Sequence, residues 1–193
     1  MTTPTEELVR AACEEFDRDD PAIEQALTEL FDQYPDNSDL RHVLLKVVAL
    51  NSLYSTQISV YSETIPNVMD VSRHIYQNYH EIDLALAAGS PEIVDWIASV
   101  KVSGKKDRYY FSFATKYCGW HKPELYPIWD SRVDRYVGCL KGQPRFAEFF
   151  NTGKDHWSYP QFRKLMTIFR DCYGLGSCTF KDIDKFLWIY GGK

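Results

Sequence analysis

The chain has 193 residues, of which 45% are hydrophobic, 15% aromatic and 25% charged. That length can bury a sizeable core, and that composition excludes an intrinsically disordered chain. The net charge of -5 argues against a nucleic-acid partner until its distribution is considered, because residues 1–100 hold five Lys or Arg against eighteen Asp or Glu, and residues 101–193 hold seventeen against nine. An acidic first half and a basic second half either offer one face to a polyanion or pack against each other.

The five cysteines, Cys13, Cys118, Cys139, Cys172 and Cys178, include no C-x-x-C pair. Reduced thiols are expected, not a disulfide framework or a zinc knuckle. No apolar run approaches the roughly 18 residues of a membrane span, and no basic segment followed by an apolar one opens the chain. The expectation is a soluble cytoplasmic protein with no membrane contact.

Leu8, Ala11, Ala12 and Phe16 stand at helical spacing. Asp20-Pro21 then predicts a cap and a first-turn proline for a helix through Phe31, stopped by Pro35. Asp39 caps the next segment, where Leu40, Val43, Leu44, Val47, Val48, Leu50 and Leu53 are dense enough to predict burial on most sides. It ends in Asn51-Ser-Leu-Tyr54-Ser-Thr-Gln57, which alone reads as an ordinary helix end. Pro66 opens a helix faced by Val68, Val71, Ile75 and Tyr79, and a short piece through Leu86 ends near Gly89. Ser90-Pro91 starts a helix over 92–100.

Gly104-Lys105-Lys106 then forms a hairpin, and Asp107 caps a helix to about Cys118 with Tyr110, Phe111, Ala114 and Tyr117 on one face, broken by Gly119. Residues 120–129 form an aromatic connection with Pro123 and Pro127. Asp130 is the expected cap of a helix buried through Val133, Tyr136, Val137 and Leu140, ended by Gly142 and Pro144. Residues 145–150 make a short helical turn, 151–156 a polar loop, and Ser158 with Pro160 starts a helix through Tyr173. Thr179 and Asp182 form a capping box for the last helix, which Gly191-Gly192 ends. No strand-period alternation appears, so the fold class is all-α with about nine or ten helices. The domain is single over 1–193, or the same domain with lobes at 1–36 plus 130–193 and at 37–129.

A glycine-tipped hairpin between two helices exposes backbone N–H groups at a helix N-terminus, where an anion is favoured. Lys101, Lys105, Lys106 and Arg108 add charge there, so phosphate contacts that weaken with salt are one reading and a solvated lysine-rich turn the other. A carboxylate at an N-cap is usually only a cap, worth about 1 kcal/mol. Asp130 follows two tryptophans, two prolines, a tyrosine and a histidine, a stiff loop that could wall a pocket and desolvate it. The alternative is that Trp120, Tyr126 and Trp129 are core and that His121 bonds a carbonyl.

Hairpin, lysine, helix, linker and aspartate in this order resemble the helix-hairpin-helix Gly/Pro/Asp DNA glycosylase superfamily. The family's G-x-G-x-K register falls on Val102-Ser103-Gly104-Lys105-Lys106, without the first glycine, and Pro127-Ile-Trp-Asp130 is similar to its Pro-x-Asp segment with one added residue. The resemblance covers about residues 40–140 and implies two packed lobes, a helix-hairpin-helix motif and a cleft between the lobes. It makes Lys106 and Asp130 the catalytic residues, with Lys105 the neighbour one register away. It assigns Gln57 or Tyr54 to wedging the duplex, and Ser103, Gly104, Lys105 and Arg108 to DNA contact. Trp120, His121, Tyr126 and Trp129 would then surround the extruded base.

The implied function is base excision on a duplex with a flipped base by a monomer, and bifunctional chemistry would proceed through a lysine Schiff base with AP-lyase activity. No cofactor is expected, since Cys172 and Cys178 lack the further cysteines of an iron-sulfur loop. The other two function classes are a non-catalytic helix-hairpin-helix nucleic-acid-binding protein and an α-helical protein-interaction domain. His74, His80, Glu81 and Asp83 read as a solvated face in preference to a metal site, and Cys118 with His121 is not a nucleophile pair across a Gly119 break.

Overall fold

Capping chemistry sets most helix ends in this protein. The computed structural model describes residues 2–19, 21–150 and 158–191; the expected Asp20 cap, the 151–156 loop and Gly192 lie outside them. The described residues are mostly helical, with eleven α-helices: α1 (Glu6–Asp19), α2 (Pro21–Gln33), α3 (Leu40–Tyr54), α4 (Val68–Gln77), α5 (Tyr79–Ala88), α6 (Glu92–Ala98), α7 (Phe111–His121), α8 (Ser131–Gly138), α9 (Ala147–Phe150), α10 (Tyr159–Cys172) and α11 (Phe180–Tyr190). The side chains of Asp39 and Asp130 accept from first-turn amides of α3 and α8. Capping boxes open α4 at Asn67, α10 at Ser158 and α11 at Thr179. None of these helices is long and apolar enough to cross a membrane.

Four expectations change. The helix over 92–100 stops at Ala98, and β1 (Ser99–Val100) pairs antiparallel with β2 (Arg108–Tyr109). Val100 is fully buried there, and Ser99 turns its hydroxyl back to the Asp95 carbonyl at 2.8 Å. Asp107 caps nothing: it is exposed, 3.9 Å from the Lys101 ammonium, and α7 begins four residues later. Gly119 does not break α7, which continues to His121 and buries every residue from Phe113 to Trp120. A mid-helix glycine costs about 1 kcal/mol, which the burial of Trp120 offsets. Finally, α3 is not buried on most sides, because Leu45 and Val48 are exposed while Val43, Lys46, Val47 and Leu50 face inward.

The chain divides into two units, residues 22–122 and residues 1–21 with 123–193. In the first, α3 packs on α4 and α7, and α6 packs on α7, closing a core of Val43, Val47, Leu50, Val71, Ile75, Ile97, Phe113 and Tyr117. In the second, α11 packs on α1 and α8. Tyr136 meets Phe186 and Phe169 edge-on at 5.7 and 6.1 Å. Arg132 donates to the Trp188 carbonyl at 2.9 Å with its guanidinium 3.8 Å from that indole. A Cβ on Gly191 would lie 2.4 Å from the Arg132 carbonyl oxygen, so glycine permits the close approach of α8 and the end of α11.

Candidate functional site

The segment after α3 is organised by one side chain. Asn51 donates to the Ile58 carbonyl at 2.8 Å and accepts from the Thr56 hydroxyl and the Ile58 amide, both at 2.9 Å. Thr56 and Ile58 are thereby buried, and Gln57 between them is exposed with φ 63. Ser55 is also left-handed, at φ 49. Non-glycine residues in this region carry a cost of about 1–3 kcal/mol, which the Asn51 hydrogen bonds offset. The chain therefore holds an amide side chain outward from a pinned turn.

The hairpin over 99–109 is welded to the next loop. Lys105 donates to the Asp70 carboxylate at 2.6 Å and to the Ser62 carbonyl at 2.9 Å, and the Lys106 amide donates to the Thr64 carbonyl at 2.9 Å. Burial opposes the Asp70 carboxylate, yet the Lys105 ammonium and the Asn67 amide hold its pKa below the usual carboxylate range. Lys105 is thus a part-buried clamp on the α4 capping box. Gly104 has φ 79, which suits glycine at the tip, and Ser103, Lys106 and Arg108 are exposed around it. Lys106 follows the turn and precedes β2, with its side chain in solvent. The Lys106 amide, engaged by Thr64, is not an open anion donor.

Beside this frame, α7 turns Ser112, Lys116 and Trp120 to one side, at i, i+4 and i+8. The Lys116 ammonium donates to Ser112 Oγ at 3.0 Å and sits 5.5 Å from the centre of the Tyr54 ring. Trp120 Nε1 donates to the Tyr54 hydroxyl at 3.2 Å. The structure therefore brings together Tyr54 and Trp120, which the sequence singled out, with Ser112 and Lys116, which it did not. The i, i+4, i+8 spacing of two polar residues and a tryptophan was the available signal.

His121 belongs to a different cluster. Lys46, fully buried, donates to the carbonyls of Tyr34 and Asp36 at 3.1 and 2.8 Å and to Asn37 Oδ1 at 3.0 Å. His121 Nε2 lies 3.2 Å from the same ammonium, and the ring donates to the Pro35 carbonyl, so Nε2 is the acceptor. Asn37 in turn donates to Asp83 at 2.6 Å and accepts from Tyr117 at 2.5 Å. Burial lowers the Lys46 pKa to about 8 against the pull of Asp83 and Asp36. Burial, then the nearby Lys46 and Lys122 cations, push the His121 pKa well below its ordinary value. His121 is a neutral acceptor inside the unit, not a surface for a base.

The remaining expected residues lie in the other unit. Asp130 Oδ1 accepts from the amides of Arg132 and Val133 at 2.8 and 2.9 Å, as a cap. Tyr126 is buried, stacked 6.1 Å from Tyr159, whose hydroxyl donates to the Pro127 carbonyl at 2.9 Å. Its ring is core, the alternative the sequence left open. Trp129 is half-buried beside the cap. Among the described residues no three His, Cys, Asp or Glu side chains group to hold a metal. His74 stacks on Trp96 at 4.7 Å, and Asp83 serves Asn37. Burial pushes the Cys118 thiol up.

Together these features describe a helical domain with a pinned, outward-held glutamine, a rigid hairpin and two buried lysine clusters. The chain belongs to the HI_0787_N family: residues 8–125 match the model of that family, described as an N-terminal domain. The match spans all of the 22–122 unit and ends before Asp130. An uncharacterized protein of Haemophilus influenzae is similar at 30% identity over 156 residues, covering 81% of this chain and 69% of the relative. No solved structure matches.

Proposed function

We propose that this protein binds DNA, extrudes a base and excises it by hydrolysis, in the cytoplasm. The observation that carries the reading is Gln57, which the Asn51 hydrogen bonds hold exposed in a left-handed conformation. In the superfamily that the sequence resembles, a side chain at this point fills the gap left by the flipped nucleotide, and an amide suits that role because it both donates and accepts. The α6-hairpin-α7 arrangement, with β1 and β2 inside it, supports a divergent helix-hairpin-helix motif. Its exposed cations, Lys106 and Arg108, are suited to phosphate contact.

Excision breaks the glycosidic bond with positive charge on the sugar, and Asp130 is the carboxylate that the reading assigns to that charge. A Schiff-base amine benefits from desolvation, which exposed Lys106 lacks, so water is the preferred nucleophile. Lys106 then remains a strand contact. The same exposure favours, as second reading, a binding module without chemistry.

The test is release of free base from duplexes carrying uracil, 8-oxoguanine, an alkylated base or an abasic site, with borohydride trapping in parallel. Release by the wild type that Asp130→Asn abolishes supports excision. Covalent trapping lost in Lys106→Gln would restore the lyase chemistry. Salt-dependent binding without release leaves the non-catalytic module, and no binding overturns both readings.

A further inference from the structure

The loop after the pinned turn is fixed through its backbone and still turns a tyrosine into solvent. The Ser59 carbonyl accepts from the Val68 amide at 2.9 Å, and the Ser59 hydroxyl donates to the Tyr61 carbonyl at 2.8 Å. The carbonyls of Ser62 and Thr64 accept from the Lys105 ammonium and the Lys106 amide, each at 2.9 Å. The chain on both sides of Tyr61 is thereby held, yet Tyr61 is 91% exposed and its neighbour Val60 54%. A scattered surface aromatic needs no explanation, but one on a fixed frame presents a flat apolar face with little backbone freedom left to lose on binding. The same bonds bring cations to it. Three residues of chain reach at most about 11 Å, so Tyr61 lies within that distance of Thr64, to which Lys106 is bonded. Lys106 and Arg108 are exposed, while Lys105 is engaged by Asp70 and Lys101 stands 3.9 Å from Asp107. The loop's own carboxylate, Glu63, is exposed as well, which directs an anion over the hairpin instead of along the loop.

We propose that this surface binds an unpaired DNA strand, one base stacking on the Tyr61 ring and the adjoining phosphates meeting Lys106 and Arg108. The proposal rests on the DNA-binding reading above and names the form of DNA that the unit prefers. Every base has a π-face, so stacking on tyrosine is indifferent to sequence and open to any unpaired nucleotide. In an intact duplex those faces are covered by neighbouring bases, and the surface is left with phosphate contacts from two cations. Gln57 stands four residues before Tyr61, so the segment assigned to opening the stack continues into the one that holds the freed strand.

The experiment follows the fluorescence anisotropy of a labelled oligothymidylate of about twelve nucleotides, and of a duplex of equal length, as protein is added. The wild type should bind the single strand at least about tenfold more tightly than the duplex, and Tyr61→Ala should remove that margin while leaving duplex affinity unchanged. Tyr61→Phe should keep it, because the ring stacks and the hydroxyl does not. Lys106→Gln should weaken both ligands and lower the slope of log affinity against log salt by about one. Tyr61 is exposed enough that neither of its variants disturbs the core, so a loss of affinity is a loss of contact. Duplex binding with no preference for the single strand, or a preference that Tyr61→Ala retains or Tyr61→Phe loses, overturns the proposal and leaves the base-excision reading standing. Binding to neither ligand overturns both.

Discussion

Two lysines are buried in the same unit, and their surroundings differ. Lys46 is enclosed by two backbone carbonyls, Asn37 and the neutral His121, with Phe31 and Tyr117 rings each 5.6 Å from its nitrogen. Lys116 meets a serine hydroxyl and a tyrosine ring that are themselves half-buried. A cation held by fixed dipoles on all sides joins helices to loops, here α3 and α7 to residues 34–37. The Lys116 contacts to Ser112 and the Tyr54 ring instead link α7 to the last turn of α3.

The comparison breaks first at Lys46. Lys46→Met leaves two carbonyls and His121 Nε2 without this donor and Asn37 Oδ1 with Tyr117 alone, and should destabilise the protein by about 3–5 kcal/mol in denaturant unfolding. Lys116→Met should cost less, about 1–3 kcal/mol. If the two variants lose stability equally, the contrast is wrong.

Next in size is the pH dependence of Lys46. Its pKa is about 8 folded against 10.5 for the free side chain, so between those values the unfolded chain holds a proton that the folded one has released. Stability contributed by this group therefore rises as pH increases across that window, by about 3 kcal/mol. The difference in unfolding free energy between wild type and Lys46→Met isolates it from tyrosines and cysteines that titrate nearby. His121 acts at the acid end. Its folded pKa lies well below the ordinary 6.5, so as pH falls through 6.5 the unfolded imidazole takes a proton that the folded one refuses. Stability should drop by up to about 1.4 kcal/mol per pH unit there, and the slope should be absent in His121→Gln.

A smaller effect sharpens the pinned turn. Gln57→Gly relieves a positive φ and should leave stability within about 1 kcal/mol of wild type or slightly above it. DNA affinity should fall all the same. Asn51→Ala should lower both, because it frees the segment that holds residue 57.

Helix starts were legible because they are local. Asp39, Asp130, Ser158 and Thr179 cap through hydrogen bonds spanning two or three residues, so composition and spacing reveal them. The hairpin was less so. Ser99–Val100 reads as a helix tail until Arg108–Tyr109 pairs with it, and Lys105 reads as a free cation until Asp70, 35 residues away, claims it. Lys46 is the extreme case, since it looks like a polar break in an apolar helix and is matched by His121 across 75 residues. Gly119 misled because its lack of a side chain reads as a break, whereas the packing of α7 keeps it helical. Tyr54, Gln57 and Trp120 were singled out by their setting in the chain. Ser112 and Lys116 needed α7 to run past Gly119 to Trp120 before the face they share with it became visible.

The most direct test of the account places 2-aminopurine opposite a gap in a duplex and follows its fluorescence as protein is added. The account predicts a rise as the base leaves the stack, lost in Gln57→Ala at saturating protein. Binding without any rise, or a rise that Gln57→Ala preserves in full, would contradict base extrusion by the pinned turn.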